Sequence, residues 1–117
     1  ALSSGNAWAK NGSMVVVVFS EQELDCVIKD RNYFLFDTGM ATAFIMLRAT
    51  ELGLVAHPIA GFKEEAVKEI LNIPPEMQVI TMLVMGKFAE GTKQAQEESE
   101  RPERLPLEKF AFVNSYV

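Results

Sequence analysis

The sequence predicts an α+β chain organised around a long buried helix, and three observations predict it. Two apolar runs, Met-Val-Val-Val-Val-Phe at 14–19 and Val-Ile-Thr-Met-Leu-Val-Met at 79–85, have strand length and are rich in β-branched residues. Residues 34–52 hold no proline, and their only charges are Asp37, Arg48 and Glu51, over a length that strands do not reach. Residues 63–72 follow Phe62 with Ala66, Val67, Ile70 and Leu71 at helical spacing, and Pro74-Pro75 ends that second helix.

In chain order, Ala7, Trp8 and Ala9 come first, then a polar Lys10-Asn11-Gly12-Ser13 break and the 14–19 strand. That strand is apolar without alternation, which predicts burial on both of its faces. Residues 20–33 are charged and mixed, with Leu24, Val27 and Ile28 scattered among acids and bases, and read as a loop with a short turn.

The helix at 34–52 stops at Gly53. Met40, Phe44, Leu47 and Leu54 share a face, but Ala41, Ile45, Met46, Ala49 and Leu52 cover much of the remaining circumference. A helix apolar nearly all round must be buried nearly all round. The other elements can cover only one side of it, so the sequence predicts a partner surface, most simply a second copy of the chain. A charge placed there, as in Phe44→Asp, would cost roughly several kcal/mol, comparable to the whole stability of a domain.

Residues 53–62 read as a non-helical connection containing His57-Pro58 and closing with Gly61. The 79–85 strand is expected to be mostly buried. Residues 89–103 have almost no apolar side chain, the composition of a solvated or flexible segment. Leu105, Leu107, Phe110, Phe112 and Val113 then form an apolar tail that needs a docking surface, which a second subunit would provide.

A chain of 117 residues predicts one domain, or part of one. With 16 acidic against 11 basic residues its formal charge is −5, which supplies no basic field for nucleic acid or an anionic membrane. The 14–19 run is far short of the roughly 20 residues that cross a bilayer, and no secretory signal pattern opens the chain. The single Cys26 cannot form an internal disulfide, and a cytoplasmic location is the expectation. Without a Cys-x-x-Cys motif it reads as inert, and one His57 with no cysteine or carboxylate cluster beside it predicts no metal site. There is no glycine-rich phosphate loop of Rossmann or P-loop type.

The order of short motifs carries more than any one of them. Asn6-Ala-Trp8 precedes the valine-rich strand, Asp37-Thr-Gly39-Met-Ala-Thr-Ala opens the long helix, and Ala49-Thr-Glu-Leu-Gly53-Leu ends it. Pro58-Ile-Ala-Gly61-Phe, Asn72-Ile-Pro-Pro75-Glu, the hydrophobic strand into Gly86-Lys87 and the closing Arg104-Leu-Pro-Leu-Glu108 follow. Together these resemble the nitroreductase family, over most of the 117 residues and in the family's order. The family's N-terminal helices, arginine-rich phosphate-binding segment and serine-and-asparagine loop have no counterpart. The expectation is therefore a single domain over 1–117 that is the C-terminal part of a nitroreductase-like domain.

The resemblance implies a mostly antiparallel sheet flanked by helices, in an intertwined homodimer with one FMN at each of two subunit interfaces. It also implies an FMN-dependent flavoprotein oxidoreductase that passes hydride from NAD(P)H, through flavin, to a nitroaromatic or quinone acceptor. The alternative expectation is a degenerate, non-catalytic member of the same fold that dimerises or binds a ligand.

By the resemblance, Pro58, Ile59, Ala60 and Gly61 match the stretch along the isoalloxazine, with a backbone N–H near Ala60 directed at N5 and Gly61 allowing close approach. On their own these residues read equally as an ordinary turn into a helix. Arg104 matches a basic residue that pairs with the FMN phosphate; alone it reads as a solvated arginine. The sequence departs from the family's pattern at Pro102, where a second basic residue is common, with Arg101 the possible substitute. Ala43-Phe44 replaces a polar Gln-Asn pair, and Lys63 replaces an acidic residue. Asn6 and Lys10 align only loosely with flavin-contacting polar residues.

Overall fold

In a computed structural model, residues 1–89, 91 and 103–116 are described. The chain opens with a 3-10 segment, Ser4–Asn11, kinked at Asn6, and continues into strand β1, Met14–Ser20. Two short strands, β2 (Val27–Ile28) and β3 (Arg31–Asn32), pair as a small hairpin within the stretch expected to be a loop. Helix α1 spans Tyr33–Glu51, β4 Val55–Ile59, helix α2 Glu64–Leu71 and β5 Gln78–Gly86.

The main sheet has the order β1-β5-β4, and β5 pairs antiparallel with both neighbours. Its central position explains why β5 is the best-buried strand, with Val79 and Met82 through Met85 all buried and Leu83 fully enclosed. Side-chain alternation sends these residues to two cores. Met82 and Val84 pack with Ala9, Ile59, Val67 and Ile73 on the α2 side, whereas Leu83 and Met85 pack with Ala49 on the α1 side.

Both helix ends fall where the sequence places them. At Gly53, φ is +72°, the Gly53 N–H donates to the Thr50 carbonyl at 3.0 Å, and the Leu54 N–H donates to the Ala49 carbonyl at 2.9 Å. This is a Schellman closure, which glycine permits at little cost. Asn72, left-handed at φ 53°, closes α2 in the same manner. At the start of α2, Glu64 Oε1 accepts the Val79 N–H at 2.9 Å and lies 3.1 Å from Lys68 Nζ, which ties the helix to the head of β5.

Two expectations need correction. β1 is an edge strand with Met14, Val15 and Phe19 exposed, not a strand buried on both faces, because its other edge has no neighbour among the described residues. Residues 55–59 form a strand where a non-helical connection was expected. His57 and Pro58 mask it in the sequence, yet β4 lies at the other edge of the sheet, where a residue lacking N–H is tolerated.

Helix α1 is long as expected and, within one chain, is buried on one side only. Phe34, Thr42 and Ala49 are enclosed, while Phe36, Phe44 and Leu47 are 61%, 71% and 62% exposed. One chain thus covers the side that the sequence says it can cover. Of the polar stretch at 89–103, residues 90 and 92–102 lie outside the described residues. The apolar tail makes one 3-10 turn, Leu107–Lys109, and leaves Leu105, Leu107, Phe110 and Val113 exposed.

Candidate functional site

The segment 58–61 runs from the end of β4 into the turn before α2. Pro58 stands opposite Leu83, and Ile59 is buried with its carbonyl accepting the Thr81 hydroxyl at 3.0 Å. Ala60 is exposed; its carbonyl accepts the Phe62 N–H at 3.1 Å, and its own N–H meets no acceptor among the described residues. Exposure and a free donor are what a hydrogen-bonding ligand requires of this position.

Gly61 plays a different part. Its carbonyl accepts three hydrogen bonds, from the Ser3 N–H at 3.0 Å, the Ser3 hydroxyl at 2.7 Å and the Asn6 amide at 3.0 Å. A Cβ on Gly61 would stand 2.5 Å from Ser3 Oγ and 2.6 Å from Asn6 Nδ2. The room kept by this glycine is therefore filled by the chain's own first residues. The Leu2–Phe62 bridge and a hydrogen bond from the Lys63 N–H to the Ala1 carbonyl (2.6 Å) extend the same clamp. Asn6, which aligns only loosely with a flavin contact, orients the turn.

Arg104 is exposed and makes no ion pair or hydrogen bond among the described residues, and no bond joins it to the 58–61 turn. Arg101 and Pro102 lie outside the described residues. Ala43 and Phe44 sit on the exposed side of α1, and Lys63 is exposed just before α2.

His57 is a strand residue rather than a loop residue, and its ring meets Trp8 edge-on at 5.1 Å between centroids. The two line an open groove with Asn11, Lys87 and Phe88, a grouping that the sequence does not reveal because its members lie on three separate elements. Cys26 is exposed; partial desolvation and the Asp25 and Asp37 carboxylates hold its thiol above the ordinary value, which disfavours the nucleophilic thiolate. Among the described residues, no three His, Cys, Asp or Glu side chains are grouped to hold a metal, and no helix is long and apolar enough to cross a membrane.

The sequence model of the nitroreductase family matches residues 3–87, and the chain belongs to that family. MhqN of Bacillus subtilis, whose name assigns it to the NAD(P)H nitroreductases, is 31% identical over 85% of this chain and 52% of its own length. An uncharacterized 15.4 kDa protein of Mycolicibacterium smegmatis is 30% identical over 98% of this chain and 79% of its own. Among solved structures, an FMN-containing oxidoreductase superposes with a TM-score of 0.77 at 26% identity, covering 99% of this chain and 62% of that one. A nitroreductase family protein of Clostridium novyi NT gives 0.70 at 28% identity, covering 80% and 54%. The fold is thus α+β and nitroreductase-like, and the chain spans about half the length of MhqN.

Proposed function

We propose that this chain is the C-terminal part of a nitroreductase-like domain acting as an FMN-dependent oxidoreductase, with Pro58, Ile59, Ala60, Gly61 and Arg104 as its flavin contacts. The observation that carries the reading is the exposed Ala60 N–H, without an acceptor among the described residues, in a family member whose structural relatives include FMN-containing proteins. A free donor held beside a buried Ile59 fits a hydrogen-bond acceptor on a flat ring, and the Arg104 guanidinium, without an ion pair among the described residues, fits a phosphate.

The chemistry supplied by bound FMN is hydride transfer from NAD(P)H to an electron-poor acceptor of nitroaromatic or quinone type. The chain's own part is to hold the ring. The Ser3 and Asn6 bonds to the Gly61 carbonyl fix the turn, and the Thr81 bond fixes the Ile59 carbonyl, so the Ala60 N–H is presented in one direction.

The exposed apolar side of α1 and the apolar tail support a homodimer in which a second copy covers both. A cytoplasmic location remains part of this proposal. A non-redox member of the fold is the second reading, favoured by Arg104 lying unbonded to the 58–61 turn within one chain.

Flavin-dependent NADPH oxidation with a quinone acceptor separates the two readings. Turnover is expected with FMN, and Arg104→Gln should weaken FMN binding about tenfold, the worth of one charge-assisted hydrogen bond. FMN binding without turnover favours the second reading, and FMN affinity unchanged by Arg104→Gln removes that residue from the site.

A further inference from the structure

The groove beside Trp8 and His57 is not lined by Pro58, Ile59, Ala60, Gly61 or Arg104, and the flavin reading does not use it. It is an open cavity of about 280 Å³. Trp8 comes from the 3-10 segment, His57 from β4, and Phe88 from the residues after β5. Three aromatic rings from separate elements thus face one space. Trp8 and His57 stand at 82° to each other, so their ring planes form a corner rather than a flat wall. Trp8 is 43% and Phe88 38% exposed, leaving ring surface open to a visitor.

The floor of the groove is set by Gly12. A Cβ there would lie 2.6 Å from Val84 Cγ1, so glycine lets the end of the 3-10 segment close onto β5. Charge in the groove runs against that of the chain. Acids outnumber bases 16 to 11 overall, yet none of the described residues that line the groove is an Asp or Glu. Its cation is Lys87, exposed and without an ion pair among the described residues, and Asn11 adds an amide.

We propose that this groove binds a planar aromatic anion of one or two rings, such as an aromatic carboxylate. The ring packs into the corner made by Trp8 and His57 and against Phe88, where offset and edge-on contacts with π faces are favourable. The carboxylate pairs with Lys87 and accepts from the Asn11 amide. The volume is on the scale of a small ring system.

Trp8 is the only tryptophan, so the indole N–H gives a single resonance that reads the groove directly. The test is a titration of the nitrogen-15-labelled full chain, without flavin, with naphthoate and with its uncharged isostere naphthamide. Its readout does not depend on FMN or NADPH, so its failure is separable from failure of the oxidoreductase reading. Naphthoate is expected to shift the indole resonance saturably, with affinity about fivefold above naphthamide, the scale of an exposed ion pair. Lys87→Gln, at an exposed position, should erase that preference, leave naphthamide binding unchanged and leave the rest of the spectrum in place. The absence of a saturable shift, equal binding of the two probes, or a preference that survives Lys87→Gln would each overturn the proposal.

Discussion

The strand β5 and the helix α1 are similarly apolar, but only the strand finds its burial inside the chain. Leu83 is fully enclosed between α1 and the sheet, whereas Phe44, on α1's far side, is 71% exposed. The difference follows from position. A central strand has a neighbour on each edge and a helical layer over each face, while a helix laid across the outside of a three-stranded sheet has one face with nothing opposite it among the described residues. Apolar content therefore predicts that a surface must be covered, and topology decides whether the same chain covers it.

The comparison can be broken most forcefully at α1. If a second copy covers the helix, Phe44→Asp should cost about 4 kcal/mol or more and convert a dimer into unfolded or aggregated chain, as read by sedimentation and circular dichroism. A wild-type chain that already sediments as a monomer, unchanged by Phe44→Asp, would show that the surface is simply solvated.

Inside the sheet, Leu83→Ala is expected to lose about 3 kcal/mol in denaturant unfolding, the usual cost of emptying an enclosed leucine site. A loss below about 1 kcal/mol would mean that the α1-side core relaxes around the cavity and is less rigid than its burial suggests. Gly12→Ala should cost about 2 kcal/mol, because the added methyl meets Val84 and the main-chain oxygens of Ala9 and Met85.

The smallest effect sharpens the comparison at the sheet's edge of stability. Glu64 is held below its ordinary carboxylate value of 4.5, first by the Val79 N–H and then by Lys68. Its stabilisation is present above pH 4.5 and is lost as pH falls through the lowered value. Lys68, raised above 10.5 chiefly by its hydrogen bond to Glu64, contributes below 10.5 and loses that contribution as pH rises through the higher value. Glu64→Ala should flatten the acid limb of a stability-against-pH curve; an unchanged limb would assign acid unfolding to other carboxylates.

Much of this fold was legible because period and punctuation are local. The Gly53 stop, the Pro74-Pro75 break after α2, the proline-free length of α1 and the apolar run of β5 can each be read from a short window. Edge position is not local, so β1 read as buried on both faces, and Pro58 concealed β4 because an edge strand tolerates what a central strand does not. The candidate site divides in the same way. Pro58-Ile-Ala-Gly61 was visible as a motif, but the use of Gly61's space by Ser3 and Asn6 joins residues more than fifty positions apart. The Trp8, His57 and Phe88 groove was invisible for that reason too.

The most direct test of the central claim is a visible absorbance spectrum of the purified chain with added FMN, taken after gel filtration and together with its intact mass. The account predicts retained flavin bands on a dimeric species. A colourless protein after FMN addition would contradict the assignment of Pro58 through Gly61 and Arg104 as flavin contacts.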